Sequence, residues 1–172
     1  NSAEIASAHA GKDPEVARLT GELLAHAGMH AYRLLDLAGA RALLERSLAM
    51  LPAGSDREQA MALHALGNVL FWQGDVDAAE TCYLEGLARA QRAGDTWRVA
   101  SLAALLGDCS SVRGSHDTAM SRYEESLVLF RELGDPRMTA VALANLGDGY
   151  RRQALLAESR AMYEESLAIA VD

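Results

Sequence analysis

The chain has 172 residues, a formal net charge of −8, and a hydrophobic half in which aromatics make up only 5% of the sequence. Ala and Leu dominate that half and isoleucine occurs only at Ile5 and Ile169, a composition that favours helix and excludes a sheet-centred fold or intrinsic disorder. The negative charge argues against broad contact with nucleic-acid phosphates or an anionic membrane. No apolar stretch reaches bilayer-spanning length, and the opening NSAEIASAHAGKD lacks the basic-then-apolar order of a signal peptide, so a cytoplasmic location is expected.

In chain order, residues 1–12 read as the end of a preceding helix or a linker, after which Asp13-Pro14 opens a helix. A unit of about forty residues then recurs. Leu66-Gly67, Leu106-Gly107 and Leu146-Gly147 stand forty apart, as do Tyr83, Tyr123 and Tyr163, and Leu87, Leu127 and Leu167. A fainter copy, shifted by thirty-nine, holds Gly28, Leu44, Ser47 and Leu48. The organisation is therefore four repeats: 13–54 (degenerate), 55–94, 95–134, and 135–172, the last read as cut short. Each repeat predicts two helices, because Leu63, Leu66 and Leu70 and then Ala79, Tyr83, Gly86 and Leu87 fall three and four apart. Gly74-Asp75 and Gly114-Ser115 supply the turn within a repeat. Gly94-Asp95 and Gly134-Asp135-Pro136 supply the stop and start between repeats, and Ser55 to Glu58 fits a capping box. Ala154 replaces the turn glycine in repeat 4, at a cost of about 1 kcal/mol if that turn is left-handed. The last helix stops at Val171-Asp172 with no polar cap, which reads as a segment of a longer protein.

These residues resemble the tetratricopeptide repeat (TPR) family. Its pattern of large residue, Leu-Gly, large residue, small residue, aromatic and small residue falls on Leu63, Leu66-Gly67, Leu70, Ala79, Tyr83 and Gly86. Repeat 3 has Ala103, Leu106-Gly107, Ser110, Ala119, Tyr123 and Ser126, and repeat 4 has Leu143, Leu146-Gly147, Tyr150, Ser159, Tyr163 and Ser166. The chain departs from the family in its forty-residue period, where thirty-four is commoner, and in lacking the usual proline near the end of the second helix. The resemblance implies an all-α fold, a right-handed superhelical solenoid of antiparallel helix pairs. Its forty-residue units with Gly-Asp linkers are similar to arrays in large bacterial signalling and transcriptional regulators, which implies a sensor or docking segment. No ATP-binding loop or helix-turn-helix is visible in the sequence.

By the same resemblance, the first helices line a concave groove. The groove positions are Glu22, Ala25, Met29, Tyr32 and Arg33, then Met61, His64, Asn68, Phe71 and Trp72. Repeat 3 contributes Ser101, Ala104, Asp108, Ser111 and Val112, and repeat 4 contributes Val141, Ala144, Asp148, Arg151 and Arg152. The binding residues expected to matter are Met61, His64, Asn68, Phe71, Trp72, Asp108, Ser111, Asp148, Arg151 and Arg152. Asn68, Asp108 and Asp148 are equivalent and are expected to form one row facing a protein or peptide partner, with Phe71 and Trp72 as anchors. His64 and Ala104 stand where a carboxylate-clamping TPR places lysine, which argues against that role.

Chemistry is expected to be absent. Glu22, His26 and His30 share a helix face with metal-ligand spacing but have no evident third strong ligand or general base, so no metal site and no cofactor are expected. Glu124-Glu125 and Glu164-Glu165 recur because the repeat does, and Ser126 and Ser166 are packing positions. Cys82 and Cys109 read as small buried residues. Trp97 reads as structural. The alternative to a groove-binding scaffold is self-association through uncapped ends, and behind it stands a metal-dependent enzyme using the His26 and His30 face.

Overall fold

The computed structural model describes residues 13–171, and the expected helix end or linker at 1–12 lies outside them. The described residues form helices joined by short turns. These are α1 (Pro14–Arg33), α2 (Leu37–Met50), α3 (Asp56–Trp72), α4 (Val76–Arg92), α5 (Thr96–Val112), α6 (His116–Glu132), α7 (Pro136–Arg152) and α8 (Leu156–Val171). They fall into two compact halves that divide between Gly94 and Asp95. In the N-terminal half α1 pairs with α2 and α3 with α4, and α3 also packs on α2 and α1. In the C-terminal half α5 pairs with α6 and α7 with α8, and α7 covers α6.

The helix boundaries follow from their caps. The Asp13, Asp36, Asp75, Asp95 and Asp135 side chains each accept a first-turn backbone N–H, at 2.9–3.1 Å, and Pro14 and Pro136 occupy the first helical turn. The capping box expected at Ser55 does not form, because Ser55 makes no side-chain cap bond and Glu58 instead receives Arg18 of α1 at 2.8 Å. Turns within repeats are left-handed. Gly74 and Gly114 have φ of 85° and 78°, and the equivalent Ala154 and Leu35 are held at 60° and 62° despite their Cβ atoms.

Small residues set the helix spacing. The Ser47 hydroxyl donates to the Gly21 carbonyl at 2.7 Å and Ser166 donates to Ala140 at 2.8 Å, both linking the two helices of a pair. Ser126 holds the same repeat position, but its buried Oγ finds no hydrogen-bond partner among the described residues. The core of the C-terminal half gathers Ala100, Ala119, Met120, Tyr123, Leu127 and Phe130 with Ala142, Leu143 and Leu146 of α7. Trp97 is tied into this half, its indole N–H donating to Asp135 at 3.1 Å and its ring meeting Phe130 edge-on at 6.1 Å.

Candidate functional site

The glycine of each Leu-Gly pair makes room for the repeat's tyrosine. A Cβ on Gly107 would lie 2.6 Å from a Tyr123 ring carbon, and one on Gly147 would lie 2.9 Å from Tyr163. The ring therefore crosses the first helix at its closest approach, and its hydroxyl reaches the residue after the glycine. Tyr83 donates to Asn68 Oδ1 at 2.9 Å, Tyr123 to Asp108 Oδ1 at 2.8 Å, and Tyr163 to Asp148 Oδ1 at 2.8 Å. The three residues expected to read a ligand are thus each bonded first to their own repeat's tyrosine.

Two of these acceptors differ in charge state preference. Burial raises the Asp108 carboxyl above its ordinary value; the Tyr123 bond opposes that shift, and the nearby Asp148 charge reinforces it. Asp148 lies on the exposed side. Burial is the largest single influence and pushes it up, but the hydrogen bonds from Tyr163 and Arg151 and the charges of Arg151 and Arg152 together outweigh it and hold the carboxyl below the usual carboxylate range. Arg151 reaches Asp148 Oδ1 through its Nη2 at 3.0 Å and its Nε at 3.3 Å. The Tyr123 hydroxyl is raised by burial and by Asp108, and it also accepts a hydrogen bond from Ser111. Asp108, Ser111, Asp148, Arg151 and Arg152 are thereby brought into one electrostatic group in the C-terminal half.

In the N-terminal half Met61, His64, Asn68 and Phe71 are half-buried along α3, and Trp72 is 71% exposed at its end. The Trp72 indole hydrogen-bonds the Tyr32 hydroxyl of α1, which burial raises above its ordinary pKa. Leu63, Leu66 and Leu70 on the same helix are buried, so α3 has one core face and one accessible face. Val112 and the paired arginines Arg151 and Arg152 are exposed at the corresponding ends of α5 and α7.

Two groove assignments are corrected by packing. Ala25 is fully buried and Ser101 is buried, because helices approach closely over these small side chains, so neither offers a surface to a ligand. Cys109 is buried, whereas Cys82 is only half-buried and its thiol is pushed up to about 11 by burial and by Glu85. Among the described residues no three His, Cys, Asp or Glu side chains gather to hold a metal ion. Nor is any helix there long and apolar enough to cross a membrane.

The tyrosine–acceptor pairing escaped the sequence reading, which treated the two positions separately. A signal for it was present. Tyrosine and acceptor are fifteen residues apart in three repeats, and in repeat 1 both change together, Leu44 replacing the tyrosine and Met29 the acceptor.

Comparison with known proteins follows the same periodicity. The tetratricopeptide repeat profile matches residues 58–132 and 98–170, together well over half the chain. Among solved structures, BtubC (BKLC) from P. vanneervenii superposes over 92% of this chain with a TM-score of 0.76 at 22% identity. The chain spans 65% of that protein's length. MamA superposes over 87% of this chain and 78% of its own, with a TM-score of 0.66 at 19% identity. At these identities the likeness is one of fold, the all-α helical-repeat solenoid class. No curated protein matches the sequence.

Proposed function

The chain belongs to the tetratricopeptide repeat family, a class of protein-interaction scaffolds, and on that premise we propose that it is a non-catalytic module binding a protein or peptide through the accessible faces of its first helices. In the N-terminal half the contact residues are Met61, His64, Phe71 and Trp72, with Asn68 beside them. In the C-terminal half they are Asp108, Ser111, Asp148, Arg151 and Arg152. We read the module as the sensor or docking segment of a larger cytoplasmic bacterial regulator, in keeping with its forty-residue repeats.

The observation that carries this reading is the two-faced character of α3. Leu63, Leu66 and Leu70 are closed into the core while a large indole, Trp72, stays 71% exposed beside the half-buried Phe71. Exposed aromatics of this kind are the commonest anchors of protein recognition. The Asp148–Arg151–Arg152 group adds charges of both signs that select a partner more than they tighten it.

The tyrosine bonds decide which substitutions test the proposal. Alanine at Asn68, Asp108 or Asp148 would strip the tyrosines of their acceptors and confuse folding with binding. Trp72→Ala keeps those three bonds and loses only the indole's bond to Tyr32, so it is used with helical circular dichroism and a melting temperature matched to the native chain. Peptides selected against the intact chain from a displayed random library are measured by calorimetry against Trp72→Ala and against Leu84→Ala, an exposed position on the second helix α4. The expected result is a loss of roughly tenfold or more for Trp72→Ala and little change for Leu84→Ala, since anchor truncations cost above about 1.4 kcal/mol. Equal affinity in all three proteins would overturn the assignment.

A further inference from the structure

Tyr83 decides which end of the Asn68 side chain faces outward. Its ring is fully buried in the gap that Gly67 leaves, where any Cβ would strike it, and its hydroxyl donates to Asn68 Oδ1 at 2.9 Å. A primary amide carries an acceptor at one end and two donors at the other, so rotation about its last bond would exchange them. The same tyrosine bond recurs at 2.8 Å on Asp108 and on Asp148, where a carboxylate only accepts. The tyrosine hydroxyl is therefore a donor at this position in all three repeats, and in repeat 2 it claims the amide oxygen.

The amide nitrogen is left over. Asn68 Nδ2 has no hydrogen-bond partner among the described residues. Among those residues Ser126 Oγ is the one side-chain polar atom both buried and unpartnered, so Asn68 Nδ2 reaches the surface. It does so between His64, one turn earlier on α3, and Phe71 and Trp72, three and four residues later on the same helix face. A lone two-proton donor thus stands in a strip of rings.

We propose that Asn68 is the specificity-determining residue of α3, a one-way donor that reads a neutral amide carbonyl of the bound segment beside the apolar side chain packed on Trp72. The assignment rests on the reading of the first-helix faces as the binding surface and sharpens it. Repeat 2 demands an acceptor from its partner, whereas the carboxylates at the same position in repeats 3 and 4 demand donors. A carboxylate is the poorer fit to Asn68, since the chain carries a net charge of −8 and an amide supplies no charge to hold an anion.

Asn68→Asp tests this with almost no change of shape. It keeps an acceptor for Tyr83, in the pairing that Asp108 and Asp148 already make, and turns the outward donor into an acceptor. The probe is the peptide selected against the native chain, titrated by calorimetry. Asn68→Asp is expected to weaken it roughly tenfold or more at matched helical circular dichroism. A second arm uses the native chain alone and holds even where the aspartate disturbs folding. There 15N NMR follows the Asn68 side-chain amide protons, which are expected to move downfield on saturation with the peptide. The shift should vanish for one altered peptide: a backbone ester at one site identifies a main-chain carbonyl, and Ala for one Asn or Gln identifies a side-chain amide. Full affinity in Asn68→Asp with loss in Trp72→Ala overturns this assignment and leaves the binding face standing; full affinity in both overturns the two together. Amide protons that do not move on saturation, or a shift abolished by replacing a peptide Asp or Glu, also overturn it.

Discussion

Repeats 3 and 4 carry the same Leu-Gly, acceptor and tyrosine in adjacent helix pairs, yet the two copies do different physical work. In repeat 3 the Tyr123 ring is buried and Asp108 is driven by that burial toward its neutral form. In repeat 4 Tyr163 is 36% exposed and Asp148, beside two arginines, favours its charged form. A hydrogen bond of equal length, 2.8 Å in both, therefore holds a reluctant carboxylate in one repeat and a willing one in the next. Repeat 2 shows a third solution, the uncharged Asn68, which accepts from a fully buried Tyr83 without a charge to desolvate.

The sharpest way to break the comparison is to close the space under the rings. Gly107→Ala forces a Cβ to within 2.6 Å of a buried ring that has nowhere to go, whereas Gly147→Ala meets a ring with an open side. Overpacking of this kind costs about 1–3 kcal/mol, so Gly107→Ala is expected to lose about that much in urea denaturation. Gly147→Ala should stay within about 1 kcal/mol of the native chain, aided by alanine's better helix propensity.

A smaller difference lies in the turns. Gly114 takes φ of 78° at no steric cost, but Ala154 is held at 60° with a Cβ. Ala154→Gly is expected to stabilise by about 1 kcal/mol and Gly114→Ala to destabilise by a similar amount, both read as shifts in melting temperature.

What could be read in the sequence was whatever repeats with a fixed period. The recurrence of Leu-Gly and tyrosine every forty residues gave the helix pairs, and Gly-Asp-Pro gave the junction at 134–136, because these signals are local and chemically specific. The capping box at Ser55 was a local signal that a distant residue overrode: Glu58 does better bonding Arg18 of α1 than reaching back to its own helix start. Ala25 and Ser101 were assigned to the groove by position alone, and small residues at close helix crossings are buried whatever their register. The candidate binding row was legible as a row of polar residues but not as a set of tyrosine acceptors, since that bond joins two helices through a glycine gap that only packing reveals.

The most direct measurement is the pH dependence of stability for Asp108→Asn and Asp148→Asn, each compared with the native chain. Asp108 has a raised folded-state pKa, so the folded protein resists charging it. The native chain carries that cost above the raised value and sheds it as pH falls through the ordinary aspartate range. Asp148 has a lowered folded-state pKa, so its charge contributes stability above the ordinary range that is lost as pH falls through the lowered value. Asparagine preserves an acceptor for the tyrosine in both cases. At neutral pH Asp108→Asn is therefore expected to be more stable than the native chain and Asp148→Asn less stable, with both differences shrinking toward zero in acid. Differences of the same sign at neutral pH, or differences that do not fade on acidification, would contradict the view that burial makes one repeated carboxylate a burden while hydrogen bonds and arginine charges make the next an asset.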